Sequence, residues 1–407
     1  MTIKVIVSHD EFCRAAKLLA TAVSLQNNDN EQRANVITLI CDASAETIEL
    51  KTQAQELIAS AVLDISDGNI EDDLWLELDA VFLSTLLEKT KRDRHVQIDI
   101  DTQCMSMSIS SGKLLECNLF SPIEFIRIDD SATFNQNIRL INSLADYDFE
   151  PSMDEKAFSA SVSKGSCKLL KAVDEFNTAQ HATVADHVSV MFSKDKAFVD
   201  STNFHASFEL LQSEEEQCAV LNAASFKAFQ KVINLMHISR DAKLSMQLTD
   251  QRIILETEKS FASITTKDLS HRPESISPPH ASEQRICLNV FETIEALKKL
   301  DAKQKKSEDF VFVSPVVRNE TSQVLFESEP ESGQLTSRVN HVADLPDFDE
   351  IKTLRQPLLA AIKMLIDDEF VYLQALEADS TEIIVVNKLQ TKYAAIQKLP
   401  HQAGSVD

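Results

Sequence analysis

Residues 219–236 read AVLNAASFKAFQKVINLM, and a change of period inside this stretch decides the fold. The short apolar run AVLN leads directly into a segment whose apolar residues recur at helical spacing. At 100° per residue Phe226, Phe229, Ile233 and Met236 share one side, and Lys227, Gln230, Lys231 and Asn234 lie roughly opposite. The segments that follow, KLSMQLT, RIILETE and FASITTKDL, alternate with period two, as half-buried strands do. One strand, one amphipathic helix and several strands therefore form a unit.

The same unit recurs along the chain. The first copy has IKVIV, a helix from Ser8 with Asp10 and Glu11 in its first turn, then NVITLIC, ETIELKTQ and LIASAVLDI. The second has LWLELD, a helix over about 79–91, then HVQIDID, CMSMSIS and LLECNLF. The third opens with KAFSASVS and a helix over 164–176, followed by VSVMFS, AFVDST and ASFELLQ. The fourth is the stretch quoted above. The fifth runs from RICLNV through a helix over about 290–303 to DFVFVSP, QVLFESE and LTSRVN. The sixth has a helix starting near Pro357, then FVYLQALE, EIIVVNK and KYAAIQKL.

Six copies in 407 residues leave about 68 residues each, long for a solenoid repeat and short for an independent domain. Pairing the copies gives three α+β domains, at 1–135, 150–270 and 283–400, with a tail at 401–407. The polar or proline-bearing stretches DDSATFNQNIRLINSLADYDFEPS and SHRPESISPPHASEQ serve as the connectors.

Composition removes several classes of function. Five glycines, at 68, 112, 165, 333 and 404, leave no way to write GxGxxG or a P-loop. The seven cysteines stand singly, mostly in apolar stretches, and read as reduced core residues; no CxxC or HExxH occurs, so neither metal nor cofactor is expected. No apolar run approaches the roughly 20 residues of a membrane helix, and the N-terminus does not read as a signal peptide, which implies a cytoplasmic protein. Asp200 and His205 form the one candidate acid–base pair, with nothing in the sequence to orient it, so no enzyme is expected.

The net charge of -24 should repel phosphates. Each helix nevertheless has basic character away from its apolar side. The basic residues are Arg14 and Lys17 in the first, Lys91 with Arg92 at the end of the second, and Lys164, Lys168 and Lys171 in the third. Lys227 and Lys231 follow in the fourth, Lys299 and Lys303 in the fifth, and Lys363 in the sixth. Helices lining an inner surface, with acids outside, would give weak phosphate contacts independent of base sequence.

This pattern resembles the bacterial DNA polymerase III beta sliding clamp family, or a phage-encoded member of it. Its most specific part is 217–269, where AVLNAASFKAFQKVINLM and AKLSMQLTDQRIILETEKSFASITTKDL resemble the second half of the family's middle domain. The ending TKYAAIQKLP is similar to the family's closing strand, and FVDSTNFHASFEL loosely resembles its TDGHRL segment.

The resemblance implies three clamp-like domains per chain and a head-to-tail homodimeric ring, with helices inside and sheets outside. Twelve helices spaced about 8–10 Å apart give a ring of roughly 30–38 Å between opposite axes, wide enough for duplex DNA. Such a processivity factor tethers DNA polymerase topologically and is opened by a clamp loader. The resemblance places a partner-peptide pocket at Thr202, Phe204, His205, Pro273, Ala395, Ile396 and Lys398. Phe204 stands at a family glycine, Ala206 at an arginine, and Gln397 and Lys398 at a proline and a methionine. It places the dimer interface at Leu115, Cys117 and Leu119 against Leu297 and Leu300 of the partner. A clamp-like scaffold or decoy, binding replication proteins without encircling DNA, is the alternative.

Overall fold

The computed structural model describes residues 2–24, 36–53, 57–79, 95–112, 132–137, 139–140, 161–162, 164–180, 186–193, 196–212, 217–236, 244–248, 251–274, 276, 285–300, 309–318, 321–328, 335–341, 350–375 and 381–399. The second copy's helix and its LLECNLF strand lie outside them. So do Lys91, Arg92, Leu115, Cys117, Leu119, Lys303 and the tail.

In chain order, β1 Thr2–Ser8, α1 His9–Ser24, β2 Val36–Asp42, β3 Thr47–Gln53 and β4 Leu57–Asn69 make the first copy. β5 Leu74–Asp79, β6 His95–Asp101, β7 Ser106–Gly112, β8 Ala132–Asn137 and β9 Arg139–Leu140 follow. Then come β10 Ser161–Val162, α2 Lys164–Ala179, β11 His187–Phe192, β12 Lys196–Asp200 and β13 Phe204–Gln212. The fourth copy supplies β14 Gln217–Asn222, α3 Ala223–Met236, β15 Ser245–Leu248, β16 Arg252–Thr257 and β17 Ser260–Thr265. The fifth has β18 Arg285–Asn289, α4 Val290–Lys299, β19 Phe310–Arg318, β20 Thr321–Ser328 and β21 Leu335–Asn340. The sixth has β22 Ile351–Leu354, α5 Arg355–Lys363, β23 Phe370–Ala375, β24 Glu382–Asn387 and β25 Lys392–Gln397.

The repeat is visible at atomic detail where strand turns into helix. Asn222 Oδ1 accepts from the Ser225 backbone N–H at 2.7 Å, and Asn289 Oδ1 accepts from Glu292 N–H at 3.0 Å. Both are N-caps that satisfy a donor the helix itself cannot. Pro357 sits in the first turn of α5, where its missing N–H costs little.

The chain divides into two units, Met1–Ser161 with Lys227–Thr266, and Val162–Phe226 with Lys267–Asp407, one division falling inside α3. In the first unit the strands order β8-β7-β6-β1-β4-β3-β2-β5-β9, and β17, carrying β16 and β15, also pairs with β4. β4 is long enough to take β17 along its first residues and β1 along its last. The β1–β4 register shifts between Ile6 and Val7, near Gly68 at φ 102°. A Cβ on Gly68 would lie 2.3 Å from the Lys4 carbonyl oxygen, so the approach needs glycine. α1 buries Phe12, Ala16 and Leu19 against this sheet.

The second unit has one sheet in the order β14-β11-β12-β13-β25-β24-β23-β18 and a smaller one ordered β21-β20-β19-β22. α2 packs on α5, and α5 on α4. At the start of α5 the fully buried Arg355 guanidinium donates from Nε and Nη2 to the two Asp309 carboxylate oxygens at 2.6 and 3.0 Å. This bidentate geometry is the kind that lets a buried ion pair repay its desolvation.

Two sequence expectations need correcting. Part of the stretch read as the first connector is strand, since β8 pairs with β7 along its whole length. Its polar composition, ATFNQN, hid it, because backbone hydrogen bonds to a neighbour need no apolar alternation. The cysteines are not uniformly core: Cys41, Cys167 and Cys287 are buried, Cys13 and Cys218 are half-buried, and Cys104 is exposed in a turn. Burial pushes the Cys41 thiol up to about 12 and that of Cys167 to about 11, which makes both poor nucleophiles.

Candidate functional site

The basic helix faces come first. On α2 the exposed positions include Lys168 and Lys171, which lie on one stripe while Leu169, Val173 and Phe176 go into the core. On α3 Lys227 and Lys231 are exposed and Phe226, Phe229, Ile233 and Met236 are buried. Gln230, expected beside the lysines, is buried instead. It lies on the flank of the stripe, where the core curves around the helix. Lys17 and Lys299 are also exposed. Among the described residues none of these six lysines has an ion-pair partner.

Other basic residues are committed locally. Arg14 donates from Nε to the Asp10 carbonyl of its own helix at 3.0 Å. Lys363 on α5 reaches Glu175 on α2 at 2.7 Å, an ion pair that joins the two helices. A helical wheel cannot see a partner on another helix, and that is why Lys363 read as free. Lys164 opens α2.

The second candidate site is built where β13 meets β25. Phe204 faces Ala394, His205 faces Tyr393 and Ala206 faces Lys392. The Asn203 carbonyl accepts from the Ala395 N–H at 2.8 Å, which carries the seam one residue further. Side chains alternate along β13. Phe204, 1% exposed, turns into the core and meets the Phe176 ring of α2 edge-on at 5.9 Å. His205 turns to the opposite face, half-buried. There its ring stacks on Tyr393 at 4.9 Å between centroids and lies 5.8 Å from Phe198. Its Nδ1 is 2.5 Å from the buried Asp200 carboxylate. The pair noted in the sequence is thus formed and oriented, by the β12–β13 hairpin and by an aromatic residue nearly two hundred positions away.

The segment after β17 runs along this face. Lys267 bridges to Val220, and its N–H donates to the Val220 carbonyl at 2.7 Å. The His271 and His187 rings lie 5.1 Å apart, and burial and the neighbouring His271 hold the His187 imidazole below its ordinary range. Tyr393 Oη donates to the Ile276 carbonyl at 3.0 Å, and Ile276 packs on Ile384, Val386, Tyr393 and Ala395. Burial pushes the Tyr393 phenol up to about 12.

Of the residues assigned to a partner pocket, Thr202 is exposed, and Pro273 and Lys398 are half-exposed. Ala395 and Ile396 are buried on β25, and Phe204 is core. The structure thus brings together His205, Tyr393 and Ala395. Tyr393 was not singled out from the sequence; its alternation with Ala395 in KYAAIQ is the signal that it shares a face with a pocket residue. Leu297 and Leu300, assigned to the dimer interface, are fully enclosed within their own unit. Among the described residues no group of three or more His, Cys, Asp or Glu could hold a metal ion, and no helix is long and apolar enough to cross a membrane.

No protein-family model and no curated protein sequence matches the chain. Solved structures do. A protein assigned as a DNA polymerase III beta subunit from Eubacterium rectale aligns with a TM-score of 0.67 at 16% identity, covering 98% of this chain and 99% of that one. The DNA polymerase III beta subunit of Thermotoga maritima aligns at 0.66 and 12% identity, over 98% and 100%. The Helicobacter pylori beta clamp bound to a DNA ligase peptide aligns at 0.64 and 12%, over 98% and 99%. Over nearly its whole length the chain has the fold of the beta sliding clamps.

Proposed function

We propose that this chain is a sliding clamp, a DNA polymerase processivity factor that encircles duplex DNA as a head-to-tail homodimeric ring and performs no chemistry of its own. The observation that carries the reading is the likeness of fold to beta clamps over 98% of the chain. Exposed lysines on the helices support it. Lys17, Lys168, Lys171, Lys227, Lys231 and Lys299 would offer weak, sequence-independent phosphate contacts inside an acidic shell. Three tandem domains, at 1–135, 150–270 and 283–400, would each hold two copies of the repeat. The dimer interface would join Leu115, Cys117 and Leu119 of one chain to the α4 end of the other, with Leu297 and Leu300 supporting that end from within.

Partners would be DNA polymerase, a clamp loader and other replication proteins in the cytoplasm, each inserting a short peptide beside Thr202, His205, Pro273 and Lys398, the assigned pocket residues that are exposed or part-exposed. The scaffold reading draws on Lys363 being spent on Glu175 and on Glu292 and Glu295 lying on α4. Both weaken a basic inner face.

The test is replacement of Lys168, Lys171, Lys227 and Lys231 by alanine, read as retention on nicked circular DNA across a salt series. The clamp reading predicts weaker loading and a shallower salt dependence with unchanged thermal stability. Retention and salt slope equal to the unsubstituted protein would remove these helices from the DNA path.

A further inference from the structure

Residues 267–272 pack against β11 and β14 and are held there by few contacts. Lys267 forms a β-bridge with Val220, its N–H donating to the Val220 carbonyl at 2.7 Å. Leu269–His271 then makes a single turn of 3-10 helix with no buried residue, opened by the Asp268 carboxylate accepting from the Ser270 N–H at 2.8 Å. Asp268, Leu269, Ser270, His271 and Arg272 are all exposed. Arg272 Nη2 lies 3.9 Å from the Met191 sulfur of β11, and a thioether is a weak acceptor. The stronger side-chain contact is the His271 ring on the His187 ring of β11, 5.1 Å between centroids and tilted by 38°. A segment with exposed backbone and few apolar contacts belongs to the least stable part of a fold, so this ring pair bears on whether it stays down.

Histidine is an unusual choice for such a contact, because its charge changes close to neutral pH. With a neutral ring in the pair the contact is attractive. With both rings charged it sets two positive charges 5.1 Å apart. The neighbouring charges are mixed. Burial, His271 and Lys267 all disfavour a proton on His187, and together they outweigh Asp186, which favours one, so the imidazole is held below its ordinary range. Asp268 is the carboxylate facing His271, with Ser270 Oγ 3.5 Å from its Nδ1. Among the described residues neither ring has a carboxylate within ion-pair distance. From β14, Asn222 stands opposite His187 without charge, and the Cys218 thiol near Arg272 is pushed up by burial and stays neutral. Glu274 lies exposed beyond the turn.

We propose that His187 and His271 form an acid-sensitive latch. While at least one ring is neutral it keeps residues 267–272 down on β11 and β14, and when both rings take a proton the segment lifts. Lifting separates the rings, so the lifted form binds the second proton more readily and falling pH favours it. The latch is full above 6.5, the ordinary value for histidine, and weakens progressively below it. Because residues 267–272 lead into the connector before β18, its anchoring becomes pH-dependent. The latch requires neither a ring nor a DNA contact, so it stands or falls apart from the clamp reading.

Hydrogen exchange on the full chain tests it, read by mass spectrometry on peptides spanning 266–276 between about pH 5.5 and pH 7.5 and corrected for intrinsic rates. Protection of this segment is expected to fall about tenfold toward the acid end, the effect of one proton bound a unit more tightly in the lifted form. Peptides from β11 and β12 should keep their protection. In His271→Gln, a change at an exposed position, protection should no longer depend on pH, and the NMR titration of His187 should move up toward 6.5. Protection constant with pH in the unsubstituted protein, or falling equally in His271→Gln, would overturn the latch. So would a His187 titration that the substitution leaves unmoved. A loss shared by β11 and β12 would mean acid unfolding of the surrounding sheet and would overturn it too.

Discussion

Two seams join strands from distant copies of the repeat, and they are made differently. β17 meets β4 along five residue pairs, from Ser260 opposite Ala61 to Ile264 opposite Leu57, whereas β13 meets β25 along three. The long seam has the longer backbone ladder and buries Leu57, Ala59, Ala61, Ala262 and Ile264 along it. Beside it Lys259 donates to Glu11 at 2.8 Å and to Asp64 at 2.5 Å, tying the β16–β17 turn to α1 and β4 at the surface. The short seam has less backbone to hold it and is specified by side chains: Phe204 on Phe176 beneath, and His205 with Tyr393 above. Of the side chains that close this seam, Phe204 and Tyr393 are buried and His205 alone is part-exposed.

The largest effect should follow from removing the aromatic support. Phe204→Ala should lower unfolding free energy by about 3–5 kcal/mol in denaturant titration, as large-to-small changes at fully buried aromatics do. Phe261→Ala, on the half-buried face of the long seam, should cost no more than about 1 kcal/mol. Equal losses at the two positions would erase the distinction between the seams.

Tyr393→Phe comes next, removing the hydrogen bond to Ile276 at a cost of about 1 kcal/mol. It should also change the alkaline limb of stability. The folded phenol is raised to about 12 from 10.0, so its contribution is full below pH 10 and is lost as pH rises toward 12. Denaturant midpoints across that range should fall less steeply in Tyr393→Phe than in the unsubstituted protein.

The smallest effect belongs to Lys259→Met, at most about 1 kcal/mol and shrinking as salt is added, since the side chain is a little over a third exposed. Its two carboxylate partners raise the Lys259 ammonium above its ordinary value, so whatever it contributes is present at neutral pH and lost only at strongly alkaline pH. A salt-insensitive loss would mean that the lysine acts through packing of its stem.

The sequence made the local elements legible and the seams illegible. The helix at 223–236 and its alternating strands could be read because period is local: Phe226, Phe229, Ile233 and Met236 recur at helical spacing. That Phe204 points inward while His205 points outward was also readable from strand alternation, although comparison by family position alone put both in one pocket. The pairing of His205 with Tyr393 was not readable, because nothing in FHAS or KYAA encodes a partner nearly two hundred residues distant. Lys363 and Gln230 failed for a related reason. A helical wheel gives direction but not what the neighbouring helix or sheet brings to meet it.

The central claim is topological, and the most direct measurement is retention on nicked circular DNA before and after the circle is cut, with solution mass taken by multi-angle light scattering on the same sample. The account predicts a particle of twice the 45.5 kDa chain mass that stays on the closed circle and runs off once it is linear. A monomer, or binding indifferent to DNA ends, would contradict it.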